Sequence, residues 1–345
     1  MCSITKREAL SQLLRQAKLL VINEVTMGHR HIFKAVDRTR TMRDIREKDA
    51  LFGGLTVLFA GDWRQILPVI QHGRRPQIVE ACLKHSPIWD EVEKLELSEN
   101  MRVKKSSGDS SASFANFLLK VGDGKLETVR DLGPSKVRLP DHLMLNSDSL
   151  DDLCKFVFQD LQHNFTNPTW LCSRAIICPT NSAVNEVNDV MISKFPGESR
   201  EYKSRDKVLE NEHQYPLEFI NSITPSGFPP HVLNLKKHAS VMLIRNLCPH
   251  NGHVNGCRYA IRALHDSVIE AVVATGPHAG QLLIIPRIPF VLDDDVFPFQ
   301  MQRKQFPIRL AFGITCNKSQ GQRLSACGIH LDRPFFYTWS IECST

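Results

Sequence analysis

No apolar run among the 345 residues approaches the ~18 that a bilayer-crossing helix needs, so no membrane span or membrane partner is expected. No secretory leader opens the chain either. MCSITKREALSQLLRQ mixes charge into its turns, and Glu8 also counts against an acid-poor transit peptide. The segment reads as a short amphipathic helix that begins in mid-domain. Ten cysteines are present, yet no two stand in a CxxC pair. Scattered thiols without a leader read as reduced, with no disulfide partner, in an intracellular protein. Charge is only weakly one-signed: a net +6 permits a polyanionic partner without requiring one. Internal repeats and long low-complexity tracts are also lacking.

What remains is ordinary for a soluble globular protein, with 42% hydrophobic and 23% charged residues, and a length that fits roughly two domains. Residues 8–18 carry helical spacing. LLVI (19–22) is a short apolar run closed by Asn23 and Glu24, and LTVLFA (55–60) is another closed by Gly61 and Asp62. Both read as buried parallel strands with polar residues at their carboxyl ends. A helix with Ile32 and Val36 on one face runs between them from His29 to Arg43. A helix at 76–84 and a strand KLEL at 94–97 come next. Strands alternating with helices imply an α/β fold with a parallel sheet.

KKSSGDSSAS (104–113) is a linker or exposed loop. Helices near 114–121 and 148–163 lead to RAIICPT (174–180), a strand-to-loop junction, and to a helix from Ala183 to Lys194 that starts a second α/β unit. From 241 to 291 the pattern changes to β-branched runs separated by turns: VMLIRNL, CRYAIRAL, SVIEAVVAT and QLLIIPRI. These predict a small β-barrel inserted in the second unit. RLAFGIT (309–315) and KSQGQ (318–322) return to the α/β pattern.

Open α/β sheets bind ligands beyond the carboxyl ends of their strands. Asn23–Glu24 and Asp62 occupy two such ends, and Gln65 lies one turn beyond Asp62. In nucleotide hydrolases a strand-end Asp holds Mg²⁺, a neighbouring Glu or Gln orients the attacking water, and a cation neutralises the γ-phosphate. A solvated strand end has the same composition, so the pattern alone does not choose. Cys248, His250, His253 and Cys257 have zinc-like ligand types. They sit in CPHNGHVNGC, a turn rich in Gly, Asn and Pro, which reads as a hairpin loop. Trp63, Trp89 and Trp170 either stack bases or pack in the core. Lys104 and Lys105 either meet a phosphate or lie in a solvated linker. His29, Arg30 and His31 have either a helix-start packing role or a catalytic one.

Longer strings decide between these readings. LLVINEVTMGHRHIFKAVDRTRTMRDI, FGGLTVLFAGDWRQILPVI, LELSENMR, CPTNSAVNEVN, FPPHVLNLKKHASVMLIRN and QFPIRLAFGITCNKSQGQ occur in that order. The series resembles the Pif-type DNA helicases of superfamily 1, especially those carried by Helitron transposons, over about residues 10–335. The resemblance implies two RecA-like domains with ATP and Mg²⁺ between them and single-stranded DNA across the top. It divides the chain into 1–103, the C-terminal part of the first RecA-like domain, and 104–170, a connecting segment. The second RecA-like domain takes 171–240 and 301–345, and 241–300 is an SH3-like insertion.

Site residues follow by the same resemblance. Glu24 would orient the hydrolytic water, Gln65 would sense the γ-phosphate within the motif Asp62–Gln65, and Arg102 would approach that phosphate. Asn23 stands where the family has the Asp that holds Mg²⁺. Lys318, Gln320 and Gly321 belong to the motif that couples nucleotide to DNA, and Pro179, Thr180 and Asn181 to a DNA-facing loop. The implied activity is 5′→3′ movement on single-stranded DNA driven by ATP hydrolysis, unwinding duplex DNA ahead of it. It would serve DNA repair, recombination or Helitron transposition, in the nucleus or mitochondrion.

Departures from the family pattern are as specific as the matches. The phosphate-cradling GxxxxGK[ST] loop, which in the family lies upstream of the first match, occurs nowhere in the 345 residues. Asn23 is a neutral amide and a poorer Mg²⁺ partner than a carboxylate. Arg323 follows KSQGQ where the family has Thr, and GIHLDRPFFYTWSIECST replaces a tail bearing an arginine finger. Tyr202, Ser204 and Asp206 match a family segment only in part, and His238 and Ser240 replace residues that are usually Gly and Pro. These departures predict a copy truncated at both ends. The alternative to an active helicase is then a catalytically inactive remnant that binds single-stranded nucleic acid, or a split gene.

Overall fold

The computed structural model describes residues 9–39, 50–70, 73–105, 109–128, 137–209, 215–274, 276, 278–292, 297 and 299–332. They fall into two compact units, the first within residues 1–138 and the second within 139–335. No helix among them is long and apolar enough to cross a membrane.

The first unit holds one parallel strand pair, β1 (Leu19–Ile22) and β2 (Thr56–Phe59), in register from Leu19↔Thr56 to Ile22↔Phe59. Helices Ala9–Gln16 and Arg30–Asp37 flank β1 in the chain. The chain enters β2 through a left-handed turn at Phe52, Gly53 and Gly54, with φ of 52°, 63° and 75°. Two glycines spare that turn most of its steric cost. The buried Asp37 carboxylate fixes it by accepting the Phe52 N–H at 2.8 Å. Leu20, Ile22, Val57 and Phe59 face a core of Val25, Phe33, Phe52, Leu55, Leu83 and Ile88. Phe33 and Phe52 meet Phe59 edge-on at 5.5 and 5.9 Å.

The opposite face of the pair is bare. Leu19, Val21 and Leu58 are 52%, 55% and 46% exposed. The strands are thus parallel as expected but covered on one face only, whereas parallel sheets ordinarily have both faces packed. A second difference concerns KLEL. Residues 94–97 join no sheet, and Leu95 and Leu97 stand 81% and 103% exposed. Their period-2 pattern is that of a strand, but the unit's described residues supply no partner for it.

In the second unit, β3 (Arg174–Cys178) has a parallel neighbour on each side, β14 (Gly313–Thr315) and β15 (Ala326–Ile329). Ile176 and Cys178 on one face join a core with Cys154, Val157, Val184 and Val187 from helices Leu150–Val157 and Asn181–Lys194. Ala175 and Ile177 on the other face pack with Met242, Ala311 and Ile314. Asn188 locks helix to sheet: its amide donates to Leu310 O at 3.2 Å, and its Oδ1 accepts from Phe312 N and Gly313 N at 3.1 and 3.0 Å.

Three antiparallel sheets complete this unit. β4 (Ser199–Lys203) pairs with β6 (Val232–Lys236). β5 (Arg205–Val208) pairs with β12 (Met301–Gln305), which pairs with β11 (Ile288–Leu292). The largest sheet runs β10 (Leu282–Pro286), β9 (Val268–Val273), β8 (Arg258–Leu264), β7 (Ser240–Leu243), β13 (Ile308–Leu310). The strands expected within 241–300 are therefore present, but β7 and β11 also pair with strands outside that range.

Two buried arginines join these layers. Arg258 donates to the carbonyls of Cys172, Arg174 and Ala311 and to Ser240 Oγ, at 2.6–3.2 Å. Burial pushes its pKa down; carbonyl and hydroxyl dipoles hold its two terminal nitrogens, while its Nε is buried without a hydrogen-bond partner. Arg303 pairs with Asp206 at 2.6 Å with both side chains fully buried, and also donates to Pro229 O. The Asp206 carboxylate further accepts from Ser204 Oγ, so the partly matching segment at 202–206 serves as an internal anchor.

Candidate functional site

The β1–β2 ladder continues past the strands: Ala60 N–H donates to Ile22 O at 2.9 Å and Val25 N–H to Ala60 O at 3.1 Å. Two chain segments thus leave the sheet side by side. Gly61 makes the approach possible, since a Cβ there would stand 3.2 Å from both Thr26 Cγ2 and Val25 Cγ2. This brings Asn23–Glu24 and Asp62–Gln65 to one end of one sheet, as the strand-end pattern predicts.

Glu24 is the outlier of the set. Its backbone is left-handed, φ 55° and ψ 41°, which costs a residue with a Cβ about 1–2 kcal/mol. Its Oε2 is buried without a hydrogen-bond partner. A strained backbone beneath an orphaned carboxylate oxygen is the kind of arrangement found at functional sites. Asn23 is exposed beside it. Asp62 organises the neighbouring turn: Oδ1 accepts Arg64 N–H at 3.0 Å, and Oδ2 accepts Gln65 Nε2 at 3.3 Å.

Arg64 points elsewhere, donating through Nε to Asp123 at 2.5 Å. That bond raises the guanidinium pKa and holds the Asp123 carboxyl below the usual carboxylate range. Asp123 follows the helix Asp109–Gly122, and its link to Arg64 spans too much sequence for motif spacing to reveal. Arg102 lies in the short helix Met101–Lys105, and its side chain falls outside the described residues, as does that of Lys105.

The other candidates of this region have packing roles. Trp63 meets Trp89 edge-on at 5.6 Å, with the Lys84 ammonium 4.4 Å over Trp63. In the second unit the Trp170 ring is covered by the Arg174 guanidinium at 4.2 Å. Lys104 pairs with Glu99 at 2.7 Å. His29 caps its helix by accepting the His31 N–H, and burial with its cationic neighbours lowers its pKa. Arg30 donates to Glu80 and to His85 O.

The second cluster sits at the carboxyl end of the β14–β3–β15 sheet. Pro179 and Thr180 follow β3, and Thr180 caps the helix Asn181–Lys194 by accepting Ala183 N–H at 3.2 Å. Asn181 opens the helix and is exposed. Beside them, Thr315 of β14 lies opposite Cys178 and runs into the turn Cys316–Ser319. Lys318, Gln320 and Gly321 thus share a sheet end with Pro179–Asn181.

A cleft of about 320 Å³ opens there, lined by Asn255, Gly256, Cys257, Lys318, Gln320 and Gly321 among others. Lys318 Nζ donates to Asn255 Oδ1 at 2.7 Å. Its ammonium is crowded by protein atoms and lies near Arg309, which together lower its pKa, although the residue as a whole stays exposed. Asn255 and Gly256 come from the CPHNGHVNGC segment. That segment is a hairpin loop, bridged antiparallel at Cys248↔His253. His253 is turned to Tyr259 OH at 3.1 Å and Cys257 to Gly252 O at 3.3 Å. Among the described residues no group of three or more His, Cys, Asp or Glu could hold a metal ion.

Chemically, Glu24 can polarise a water or take its proton, and the 318–321 cleft offers a cation and a glycine turn to an anion. A Mg²⁺–nucleotide fits the first set only in part. Asn23 brings a neutral amide oxygen, and no GxxxxGK[ST] string occurs in the 345 residues.

A parallel strand pair with Glu24, Asp62 and Gln65 at its carboxyl end, followed by a second parallel sheet, fits a RecA-like α/β fold. Comparison with known proteins agrees. The family model described as PIF1-like helicase matches residues 1–131, and that of the DNA helicase Pif1 2B domain matches 218–264. Over these two segments the chain is similar to PIF1-like helicases.

Relatives include the ATP-dependent DNA helicase PIF1 of Xenopus laevis, 24% identical over 338 residues, covering 96% of this chain and 45% of that protein. The Homo sapiens protein of the same name is 22% identical over 340 residues, covering 96% and 45%. The chain therefore spans about half the length of these relatives. Among solved structures, Pif1 helicase from Bacteroides in complex with ADP-AlF3 and ssDNA superposes with a TM-score of 0.62 at 22% identity, covering 96% of this chain and 69% of that one. Pif1 helicase from Candida albicans gives 0.58 at 21%, covering 92% and 68%. At these identities the likeness shows the fold.

Proposed function

We propose that this chain is the greater part of the motor of an ATP-dependent DNA helicase, moving 5′→3′ on single-stranded DNA and opening duplex DNA ahead of it. The observation that carries this reading is Glu24: a strained backbone and an orphaned buried carboxylate oxygen at a strand end, beside Asp62 and Gln65. Residues 1–103 form part of the first RecA-like domain, 104–170 a connection, 171–240 with 301–345 the second RecA-like domain, and 241–300 an SH3-like insertion. Glu24 orients water, Gln65 and Arg102 address the γ-phosphate, and Asn23 and Asp62 stand at the Mg²⁺. Lys318, Gln320 and Gly321 link nucleotide to DNA, and Pro179, Thr180 and Asn181 face the DNA. The relatives' names and their DNA-bound structures support this assignment. The setting is DNA repair, recombination or Helitron transposition, in the nucleus or mitochondrion.

A second reading, a catalytically inactive remnant that binds single-stranded nucleic acid, is favoured for the isolated 345 residues by the absent GxxxxGK[ST] loop and by Asn23. One experiment addresses both. Phosphate release is measured at saturating Mg-ATP and single-stranded DNA, against a Glu24→Gln control. DNA affinity is measured by fluorescence titration at two salt concentrations. We expect no release above the control, and an affinity that falls by about 0.7 log unit per log unit of salt for each phosphate neutralised. Release above the control contradicts the inactive reading. Salt-independent binding, or equal preference for heparin, contradicts an inherited DNA channel.

A further inference from the structure

The hairpin loop between β7 and β8 and the turn Cys316–Ser319 lie far apart in the chain and meet at the cleft, where Lys318 Nζ donates to Asn255 Oδ1 at 2.7 Å. Both sides of that contact are fixed. Asn255 N–H donates to Asn246 Oδ1 at 2.8 Å, Gly256 N–H to Leu243 O at 2.9 Å, and Cys257 N–H to Val254 O at 3.1 Å. Opposite, Gln322 Nε2 donates to Lys318 O at 2.8 Å, and Gln322 N–H to Ser319 O at 3.1 Å. Gly321 permits this return of the chain, with φ of 74°. Lys318 is thus held at its backbone by its own turn and at its ammonium by the hairpin. Ordering a lysine side chain is among the larger entropy costs of making a contact. Here the fold has met that cost before any ligand arrives.

An ammonium has three donors and no acceptor. Among the described residues Asn255 takes one of them, and no carboxylate pairs with Lys318. Two N–H groups remain for the cleft of about 320 Å³, whose wall includes Asn255, Gly256, Lys318 and Gly321. The chemistry of the acceptor matters. An amide is neutral, so it orients the ammonium without cancelling its charge. A carboxylate in the same place would hold the ammonium and neutralise it. Crowding by protein atoms and the nearby Arg309 guanidinium of β13 both disfavour the bare cation and lower its pKa. An anion in the cleft relieves both.

We propose that Asn255 is a positioning residue, which presents Lys318 with its charge uncancelled to a phosphate group entering this cleft. The inference rests on the reading that residues 318–321 link nucleotide to DNA. The phosphate belongs to a nucleic-acid backbone or to a nucleotide, and the two probes below separate these sources.

The full chain is compared with Asn255→Ala, Asn255→Asp and Lys318→Met. Asn255 and Lys318 are exposed, so circular dichroism should show every variant as folded as the parent. The first readout is the rate at which an amine-reactive acylating reagent modifies Lys318 at mildly alkaline pH, followed by mass spectrometry. Only the neutral amine reacts, and a carboxylate beside it favours the ammonium, so Asn255→Asp should slow acylation by about threefold or more. The second readout is affinity for a fluorescent oligo-dT and for a fluorescent ATP analogue. Asn255→Asp should weaken the sensitive probe about as much as Lys318→Met does. For the oligonucleotide, both should also lower the salt dependence by about 0.7 log unit per log unit of salt, one phosphate contact. Asn255→Ala keeps the charge, so it should keep that salt dependence and lose only about two- to tenfold in affinity.

Loss confined to the oligonucleotide assigns the phosphate to a nucleic-acid backbone, and loss confined to the analogue assigns it to a nucleotide. A role limited to shape predicts the opposite order, with Asn255→Asp nearer the parent than Asn255→Ala, and that order overturns the proposal. Parent-rate acylation of Asn255→Asp, with binding lost in Lys318→Met, also overturns it and leaves the reading of 318–321 intact. Slowed acylation with both probes indifferent to Lys318→Met sinks that reading instead, and the phosphate with it, while the hold of Asn255 on Lys318 stands.

Discussion

Two parallel sheets in this chain are built from similar sequence and differ in how much of each is enclosed. LLVI and TVLF in the first unit are as aliphatic as RAIIC in the second. β3 has a parallel neighbour on each edge and packing on both faces. The β1–β2 pair has two free edges among the described residues and one bare face. Hydrophobic content therefore sets what a strand can become, while its neighbours set what it is worth. The polar residues at the strand ends follow the same division: Thr180 is spent on a helix cap, whereas the Glu24 carboxylate keeps an orphan oxygen.

The comparison breaks most readily at the buried ion pair of the second unit. Asp206→Asn should cost about 3–5 kcal/mol, because the fully buried Arg303 loses its counter-charge. Urea unfolding followed through Trp170 reads this unit, and a loss below 1 kcal/mol would contradict the pairing. Next in size is a matched pair of truncations. Leu171→Ala, at a side chain with no exposure, should cost about 2–5 kcal/mol, whereas Leu58→Ala on the bare face should stay within about 0.5 kcal/mol. Equal costs at the two positions would mean that the face is covered.

Thr180→Ala should lower the stability of the second unit by about 1 kcal/mol through loss of the helix cap, and Thr180→Ser should restore it. The smallest effect is a pH dependence. Burial lowers the pKa of His231 and His238 below their ordinary 6.5. Their neutral forms are the ones the fold accepts, so the stability they contribute is complete above pH 6.5. It is lost as pH falls through their folded values. His231 faces Asp206, which raises its pKa, and Arg303 and Lys203, which lower it. A double His231→Gln, His238→Asn variant should therefore show a flatter stability profile from pH 7 to pH 5 than the parent.

Much of the first-order architecture was legible because it rests on local pattern. LLVI is β1 residue for residue, the helix forecast from Ala183 runs from Asn181 to Lys194, and Asn23–Glu24 meets Asp62 as strand ends should. The failures share one cause, which is that pairing is not local. KLEL alternates like a strand, but a strand exists only with a neighbour. Arg258 and Arg303 look like surface residues, because charge in a sequence reads as exposure. Only the assembled layers reveal the carbonyls and the carboxylate that hold them. Lys318 stands in a recognisable motif, while its partner Asn255 belongs to a hairpin loop with no motif of its own that points to Lys318.

Arg258 also sets a schedule for folding. Its acceptors sit at Cys172, Arg174, Ser240 and Ala311, so its partners lie on both sides of it in the chain, as far as 86 residues back and 53 ahead. A growing chain that has not yet reached Ala311 cannot supply the full set, and closing the layers around an under-satisfied guanidinium is costly. The packing of the antiparallel and parallel sheets around Arg258 is therefore completed only after synthesis has passed residue 311. Pairings so distant in sequence slow that step, because the loops must close before any contact repays them. A nascent chain would carry its exposed aliphatic strands in the cell for all of that interval.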